Sequence, residues 1–437
     1  MKALIETSRR RPERVFLVGV ELKSRNLAAT RDSLAELGEL ATTAGGDVIG
    51  DGWQKVVSLN PATFIGTGKA GEFAGLCQRQ DVDTVIFDDD LSPAQSRNLE
   101  KIFNCKILDR TSLILDIFAQ RARTREGKMQ IELAQLQHLL PRLTKYWGHL
   151  SRQKGGIGMR GDGETQLETD RRRVLDRIAR ISRELEVVRQ QRSTQRNGRQ
   201  RNNWPLASIV GYTNAGKSTL LNALTGADVM AKDILFATLD PTTRRLKLPT
   251  NQNVLLTDTV GFIRKLPHGL VEAFKATLEE VVQADLLLHV VDVSHPQAEE
   301  QIEAVNAVLA EIGAGEKSTL MVFNKMDRLH GSPDGNGAGG AGALNRLQER
   351  HPHAVAISAV TGEGIPSLLA EIGTQLRPKR EFLELRVPHE QAAVIARLHQ
   401  VGQVISRSYR GPAAKFKARI PPQYHDEFAP YIVPKSE

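Results

Sequence analysis

The chain has 437 residues, with 59 lysines and arginines against 51 aspartates and glutamates, so its formal net charge is +8. Hydrophobic residues make up 40% and charged residues 25% of the sequence, a composition typical of globular domains that excludes wholesale disorder. The longest apolar runs, such as Leu286–Val291, are far shorter than the ~20 residues that span a bilayer. Two cysteines, Cys77 and Cys105, exclude a disulfide framework or a cysteine-rich zinc site.

The positive charge is concentrated in one block. Residues 142–203 contain sixteen basic and seven acidic residues, a net charge of +9, which leaves −1 for the rest of the chain. The N-terminal residues are charged and lack an apolar signal-peptide core, so we expect no secretory signal and a cytoplasmic location. We also expect a monomer without a membrane span.

Residues 1–126 alternate apolar runs with segments of helical spacing, which predicts an α/β domain built on a parallel sheet. The predicted strands are Val15–Val20, Thr84–Phe87 and Cys105–Leu108, and the predicted helices are Arg31–Ala44, Ser92–Phe103 and Thr111–Gln120.

Residues 127–203 contain two heptad-like apolar seams, from Met129 to Trp147 and from Val174 to Val188. A polar, glycine-rich turn at Gly155–Gly163 separates them, so we predict an antiparallel helical hairpin with about 20 residues per helix. Pro141 predicts a kink or a restart in the first helix, and the polar stretch Arg192–Asn203 predicts a linker. The alternative is an ordinary helix pair packed on its flanking domains.

Residues 204–376 contain the sequence Gly211-Tyr-Thr-Asn-Ala-Gly-Lys-Ser218, which fits the phosphate-loop pattern G-x-x-x-x-G-K-S. The strand Ala207–Val210 precedes the loop and a helix begins at Thr219, which is the context that the pattern requires. Lys217 is expected to reach the β- and γ-phosphates, and Ser218 to bind Mg²⁺. The remaining loop residues expected to contact nucleotide are Gly211, Asn214, Ala215, Gly216 and Thr219.

Two segments downstream are expected to sense the γ-phosphate. In Phe236–Asp240, Thr238 is the predicted Mg²⁺ ligand, with Thr242 and Thr243 as alternatives, and Phe236 is expected beside the nucleotide. In Asp258–Phe262, the Asp258 carboxylate is expected just outside the Mg²⁺ ligands, and Gly261 to donate its backbone N–H to the γ-phosphate.

The sequence Asn324-Lys325-Met326-Asp327 follows the predicted strand Met321–Phe323 and indicates specificity for guanine. The Asp327 carboxylate can accept hydrogen bonds from the guanine N1–H and amino group, whereas adenine would leave this carboxylate unpaired. Ser358 and Ala359 follow the predicted strand Ala354–Ile357, where a backbone amide can reach the guanine oxygen. Gly331–Ala343 is predicted to be a flexible surface loop.

Residues 377–437 predict a small α/β subdomain with strands at Phe382–Val387 and Ala413–Ile420 and a helix at Gln391–Val404. The whole chain is thus predicted to be α/β, with a P-loop GTPase domain, an N-terminal α/β domain, a helical hairpin between them and this C-terminal subdomain.

These motifs resemble those of translation-factor-class GTPases, and the combined chain resembles the HflX family of ribosome-associated GTPases. The resemblance to the HflX family in particular rests on two segments, the hairpin sequence Gly155–Arg173 and the N-terminal sequence Pro61–Lys69. The resemblance implies a GTPase that binds GTP, GDP and Mg²⁺, with Lys217, Thr238 and Gly261 at the reacting phosphate. It further implies that the arm, residues 127–203, docks on the large ribosomal subunit and its RNA near the peptidyl-transferase region, and that the protein splits or rescues stalled ribosomes.

Two positions modify this expectation. Ras-like enzymes carry a water-orienting glutamine after the D-x-x-G motif, whereas this chain has Phe262. We therefore predict slow intrinsic hydrolysis that ribosomes stimulate. Asn214 occupies the position that helps hold K⁺ in some potassium-activated relatives, so K⁺ dependence is a hypothesis.

Two other functions stay open on the sequence. The first is an RNA-remodelling NTPase with a second nucleotide site at Gly66–Lys69, although this segment lacks the full phosphate-loop spacing and a turn followed by a helix is the better prediction. The second is a GTP-regulated protein-interaction module.

Overall fold

The computed structural model describes residues 11–22, 27–146, 162–200, 204–226, 235–249, 252–265, 275–329, 337–376, 381–409, 413–420 and 424–433. The chain divides into two compact units, Met1–Ala370 and Glu371–Glu437. Within the described ranges, no helix is both long enough and apolar enough to cross a membrane.

The first unit begins with a four-stranded sheet in the order β2-β1-β3-β4, and every neighbouring pair is parallel. The predicted alternation of strands and helices is confirmed, and Asp47–Val56 is a further strand that the sequence analysis did not identify. The elements are β1 (Arg14–Leu22), α1 (Leu27–Thr43), β2 (Asp47–Val56), α2 (Thr67–Arg79), β3 (Thr84–Phe87), α3 (Pro93–Phe103), β4 (Lys106–Asp109) and α4 (Arg110–Arg121).

Two long helices follow, α5 (Arg125–Tyr146) and α6 (Asp162–Gln200). Arg125 pairs with Glu184 at 3.2 Å and Glu132 pairs with Arg177 at 2.7 Å. The later residue of α5 therefore pairs with the earlier residue of α6. The two helices are antiparallel, as predicted.

The hairpin differs from the prediction in three respects. Helix α5 continues through Pro141 without a restart. Helix α6 has 39 residues, or about 58 Å at 1.5 Å per residue, instead of about 20 residues. It contains both Asp162, which is predicted to lie in the turn, and the segment 192–200, which is predicted to belong to the linker. The linker prediction fails because arginine and glutamine favour helix even where apolar periodicity is lost. The remainder of the predicted tip, 155–161, lies outside the described residues.

The second sheet of this unit has the order β10-β9-β8-β5-β7-β6, with only β6 antiparallel to its neighbour among the described strands. Strand β5 lies in the interior of the sheet, and the loop that follows it lies at the carboxyl ends of the parallel strands. The elements are β5 (Leu206–Gly211), α7 (Lys217–Thr225), β6 (Thr242–Lys247), β7 (Asn253–Asp258), α8 (Lys275–Val282), β8 (Leu286–Asp292), α9 (Ala298–Glu311), β9 (Thr319–Asn324), α10 (Gly337–Arg350), β10 (Val355–Ala356) and α11 (Ile365–Gln375).

Helix α10 corrects the predicted surface loop Gly331–Ala343. Residues 337–343 form the first two turns of this helix, while 331–336 lie outside the described residues. The glycines at 337, 339, 340 and 342 cost about 1 kcal/mol each relative to alanine in a helix. Intrinsic propensity therefore does not favour these turns, which are helical as the beginning of a helix that continues through 344–350.

The two sheets of the first unit share a hydrophobic core. One cluster of buried side chains contains Leu37 and Phe118 from the N-terminal elements and Val210, Phe236 and Phe262 from the second sheet and its loops. The nucleotide-loop candidates are therefore packed directly against the N-terminal elements.

The second unit contains a three-stranded antiparallel sheet in the order β11-β13-β12. The predicted helix Gln391–Val404 ends earlier, at Val401, and Val404 belongs to a strand. The elements are β11 (Glu381–Pro388), α12 (Ala392–Val401), β12 (Gln403–Ser408), β13 (Ala413–Ile420) and α13 (His425–Phe428).

Candidate nucleotide-binding site

The phosphate loop lies between β5 and α7, and its backbone requires glycine at both ends. Gly211 has φ +148°, and a Cβ there would lie 2.2 Å from the Val290 carbonyl oxygen. Gly216 has φ +92°, and a Cβ there would lie 2.3 Å from Asn324 Nδ2. Because no other residue tolerates both the close approach and the backbone angle, the loop depends on these glycines.

Three oxygen-bearing side chains meet beside this loop. Ser218 Oγ donates to Asp258 Oδ2 at 2.7 Å and lies 2.7 Å from Thr238 Oγ1. Asp258 Oδ1 is buried without a hydrogen-bond partner among the described atoms. A cluster of hydroxyl and carboxylate oxygens with an unsatisfied acceptor is the donor set that Mg²⁺ prefers, so these residues fit the predicted metal site.

Lys217 is the buried cation of the same cleft. Its Nζ donates to the Tyr212 carbonyl oxygen at 2.6 Å. Burial lowers the pKa of the Lys217 ammonium to about 8, with the Asp258 charge opposing that shift. Burial likewise raises the pKa of the Asp258 carboxyl, against hydrogen bonds from Ser218 and Thr238 and the Lys217 charge. A phosphate would add a counter-charge to Lys217, and a cation would add one to Asp258.

Gly261 lies against the phosphate loop. A Cβ there would lie 2.8 Å from Thr213 Cγ2 and 3.0 Å from Lys217 Nζ. Phe262 exchanges backbone hydrogen bonds with the loop, donating to Gly211 at 3.1 Å and accepting from Thr213 at 2.7 Å. The Phe262 side chain is buried in the shared core, so this position contributes packing and cannot orient a water.

The residues of the N-K-x-D segment divide into two roles. The Asn324 amide donates to the Ala215 carbonyl at 2.8 Å and its oxygen accepts from the Ala359 backbone N–H at 3.0 Å. Lys325 pairs with Asp292 at 2.7 Å. Asn324 and Lys325 therefore hold the loops together, whereas Asp327 Oδ1 is buried without a partner in the described part of the chain and remains available to a base. The Ser358 hydroxyl accepts from the Thr361 backbone N–H at 3.1 Å.

One cleft brings most of the predicted phosphate-site residues together. It is lined by Asn214, Gly216, Lys217, Ser218, Thr219, Phe236, Thr238 and Gly261, together with Thr213, Ala237 and Thr259. The base-recognition candidates lie at the neighbouring strand ends and do not line this cleft. The Phe236 ring also packs edge-to-face on Phe118, with ring centroids 4.6 Å apart.

The second nucleotide site considered for Gly66–Lys69 has a different geometry. Gly66 donates its N–H to Gln54 Oε1 at 2.8 Å, and α2 begins at the next residue. Lys69 pairs with Glu72 at 2.8 Å and lies 4.8 Å from the Phe73 ring centroid. This segment is the predicted turn followed by a helix, with its lysine engaged on its own helix.

Comparison with known proteins assigns nearly the whole chain to one family. Three family models match consecutive parts: "GTP-binding GTPase N-terminal" at residues 31–119, "GTP-binding GTPase Middle Region" at 121–199 and "50S ribosome-binding GTPase" at 207–325. A GTPase HflX from Caldanaerobacter subterraneus is 46% identical over 429 residues, which is 98% of this chain and 96% of the relative. The chain belongs to the HflX family of GTPases. The Escherichia coli GTPase HflX is 48% identical over 378 residues, 86% of this chain and 87% of the relative.

In this HflX-family chain, sequence reasoning missed the contacts between nucleotide loops and N-terminal elements. Tyr212 of the phosphate loop donates its hydroxyl to Glu36, and Lys265, three residues after Phe262, pairs with Asp88 and with Asp89. The partners are 176 or more residues apart, so no local pattern could have identified them.

Asp240 makes the contact that joins the Thr238 segment to the arm. Its Oδ2 accepts from the backbone N–H groups of Arg123 and Thr124, both at 3.1 Å, and its Oδ1 accepts from the Thr124 hydroxyl. Thr124 Oγ1 in turn accepts from the Gly127 N–H at 3.0 Å, capping α5. A carboxylate at a helix N-terminus is favourable because it satisfies free N–H groups and complements the helix dipole.

We expect the substitution Asp240→Ala to loosen the N-terminus of α5. Loss of a side-chain acceptor at a helix N-terminus costs about 0.5–2 kcal/mol, which corresponds to a roughly 2- to 30-fold larger population of the locally open state. Amide hydrogen exchange at Arg123 and Thr124 measures this opening directly. The control is Asp176→Ala, which removes an exposed carboxylate from α6; equal exchange in both variants would contradict the proposed contact.

We also expect acid sensitivity from His289 on β8. Burial, with the nearby His351 and Lys217 charges, lowers the pKa of His289 to about 3. Between that value and its ordinary pKa of about 6.5, the unfolded chain takes up a proton that the folded chain does not. This group alone then lowers the free energy of unfolding by about 1.4 kcal/mol between pH 7.5 and 5.5. Urea unfolding at several pH values measures this change. The free energy of unfolding should depend less on pH in His289→Gln, whereas the exposed-site control His353→Gln should show the pH dependence of the parent chain.

Proposed function

We propose that this HflX-family GTPase is a GTP-driven switch that acts on the large ribosomal subunit and splits or rescues stalled ribosomes. The family model matched at residues 207–325 describes a 50S ribosome-binding GTPase. The observation that carries the switch is the Asp240 contact, because Asp240 lies two residues after Thr238 and holds the beginning of the arm helix. Movement of the nucleotide-sensing segment therefore changes the support of the arm.

The nucleotide is held, in this proposal, by the residues that converge on the cleft. Lys217 and the phosphate-loop amides bind the β- and γ-phosphates. Ser218 and Thr238 would hold Mg²⁺, and Asp258 would support Ser218 through the hydrogen bond between them. Mg²⁺, when bound, supplies positive charge against the charge that develops on the phosphate oxygens. Asp327 accepts hydrogen bonds from the guanine, while Asn324, Ser358 and Ala359 fix the loop that surrounds it.

The reaction is the transfer of the γ-phosphoryl group to water. A water oxygen attacks the γ-phosphorus, and the bond to the β–γ bridging oxygen breaks. One proton of the water stays on the phosphate and the other passes to solvent, and GDP and phosphate leave. Lys217 and the Gly261 N–H stabilise the negative charge on the phosphate. Because Phe262 is buried and cannot orient the water, we propose slow turnover in the isolated chain and stimulation by ribosomes.

Asn214 adds a proposed cation dependence. It lines the cleft with an exposed side chain and a positive φ of 61°. We propose that Asn214 helps to bind K⁺ beside the phosphates. Equal GTP turnover in sodium and potassium buffers would exclude a K⁺ requirement.

The arm is the proposed ribosome contact. We keep the division into an N-terminal domain (1–126), a basic hairpin arm (127–203), a GTPase domain (204–376) and a small C-terminal domain (377–437). Arginine clusters supply affinity for phosphates without base specificity, and RNA is recognised largely through shape, phosphates and 2′-hydroxyls. A cytoplasmic monomer suits this role.

Co-sedimentation with purified large ribosomal subunits tests the proposal. The full chain should pellet with the subunits in a non-hydrolysable GTP analogue and much less in GDP. Equal recovery with both nucleotides would contradict a GTP-driven switch. No recovery with either would leave a GTPase whose partner is another macromolecule and would overturn the ribosomal proposal.

A further inference from the structure

The sheet of the second unit has one covered face and one open face. Along β13, Ala414, Phe416, Ala418 and Ile420 are buried. They pack in a cluster that includes Phe428 of α13 and side chains from β11 and α12. The side chains between them therefore point to the opposite face, since successive residues of a strand alternate.

The strand register identifies the residues of this open sheet face. Three rows of directly paired residues cross the strands in the order β11, β13, β12, and all nine are exposed. The rows are Arg386–Lys415–Ser408, Glu384–Lys417–Ser406 and Phe382–Arg419–Gln403.

The open sheet face is strongly positive. It has four cations and one acid, Glu384, which pairs with Lys417 at 2.7 Å. In the described part of the chain, Arg386, Lys415 and Arg419 form no ion pair. Arg386 lies directly opposite Lys415, a placement of like charges that destabilises a sheet unless an anion joins them. The arrangement is therefore suited to a polyanion.

The uncharged members of the face indicate which polyanion. The Phe382 ring is 47% exposed beside Arg419, and exposed aromatic rings on basic sheets stack nucleic-acid bases. Ser406, Ser408 and Gln403 supply donors for phosphate oxygens and 2′-hydroxyls. None of the nine residues in these rows is aliphatic, although Ile405 at the neighbouring bulge of β12 is 53% exposed.

We propose that the open sheet face of the second unit binds RNA, with Arg386, Lys415, Lys417 and Arg419 on phosphates and a base stacked on Phe382. This surface belongs to the second unit and the arm to the first, so the proposal gives the chain two RNA contacts. The RNA bound there need not be ribosomal.

The test uses the full chain and a fluorescein-labelled single-stranded RNA of about 12 nucleotides, a length in the range that small sheet domains cover. The triple variant Lys415→Gln, Lys417→Gln, Arg419→Gln should bind at least about tenfold more weakly at low salt. Its plot of log affinity against log salt should be flatter by about 2, since each lost phosphate contact on a single strand removes roughly 0.7.

The matched control changes the net charge equally at exposed sites in the first unit: Arg79→Gln, Lys101→Gln and Lys247→Gln. It should leave the salt slope unchanged. Phe382→Ala should weaken RNA binding about fivefold or more with an unchanged slope, and Phe382→Tyr should retain affinity. Thermal unfolding of each variant establishes that the second unit remains folded.

An unchanged RNA affinity in the triple variant would overturn the inference, as would an equal loss of RNA affinity in the control variant. It would also be overturned if the parent chain bound phosphatidylserine vesicles and the triple variant lost this binding but kept its RNA affinity. The arm arginines are intact in all these variants. If these variants bind RNA like the parent chain, the proposed ribosomal function is unaffected. Conversely, if the parent chain does not sediment with ribosomal subunits in a GTP-dependent way, the RNA-binding test of the open sheet face is unaffected.

Discussion

Replacing Asp327 with asparagine is expected to lower the affinity for GTP by about 10²- to 10⁴-fold. Two hydrogen bonds from guanine to a carboxylate contribute about 1.5–3 kcal/mol each, and the substituted amide presents a donor where an acceptor is needed. Asp327 Oδ1 is buried and has no partner among the described residues, so the carboxylate is free for the base.

The same substitution should create affinity for xanthosine triphosphate. Xanthine carries a carbonyl oxygen where guanine carries its amino group, and the asparagine amide can donate to that oxygen. Competition binding with GTP, XTP and ATP measures the change in preference. Asp426→Asn, at an exposed site of the second unit, is the control and should bind like the parent chain. Unaltered GTP preference in D327N would mean that another group recognises the base.

Neutralising the arm is expected to have the second largest effect. Arg171, Arg172 and Arg173 lie consecutively on α6 and are exposed. Their joint substitution by glutamine should weaken binding to large ribosomal subunits roughly 10- to 100-fold. It should also flatten the salt dependence of log affinity by about 2–3, because each phosphate contact contributes close to one.

GTP affinity should not change in this arm variant, because the three arginines belong to α6 and do not line the nucleotide cleft. Sedimentation at several salt concentrations, with GTP binding measured in parallel, separates the two properties. The triple variant of Arg79, Lys101 and Lys247 again controls for net charge. Undiminished sedimentation of the arm variant would assign the ribosome contact to another surface.

The arm contact and the nucleotide site are joined by residues that have no recognisable motif. Asp240 lies on the nucleotide side and Thr124 on the arm side. A Cβ at Gly127 would lie 2.8 Å from Asp240 Oδ1, so the glycine leaves room for the carboxylate in this position. The same segment packs Phe236 on Phe118. In the proposed function, these contacts are the route by which ribosome binding orders Thr238 and stimulates hydrolysis.

Local chemistry explains why the sequence was sufficient for the nucleotide cleft. Gly211, Gly216 and Lys217 are required by backbone angles and phosphate geometry within a few residues of one another, so their spacing predicts the loop. The alternating strands of the first unit were likewise predictable from apolar runs. Helices without apolar periodicity were not, and the segments 192–200 and 337–343 were assigned to linker and loop for that reason.

The sequence by itself determined the class of enzyme, the phosphate loop and the location of the positive charge. Tertiary structure alone decided that Asp240 supports the arm helix, that Phe262 is a core residue, and that cations from separate strands share the open sheet face. The physical reason is distance along the chain. A motif records what neighbouring residues do together. Strand register instead joins cations from different strands, such as Arg386 and Lys415, and packing joins Asp240 and Thr124, which are 116 residues apart.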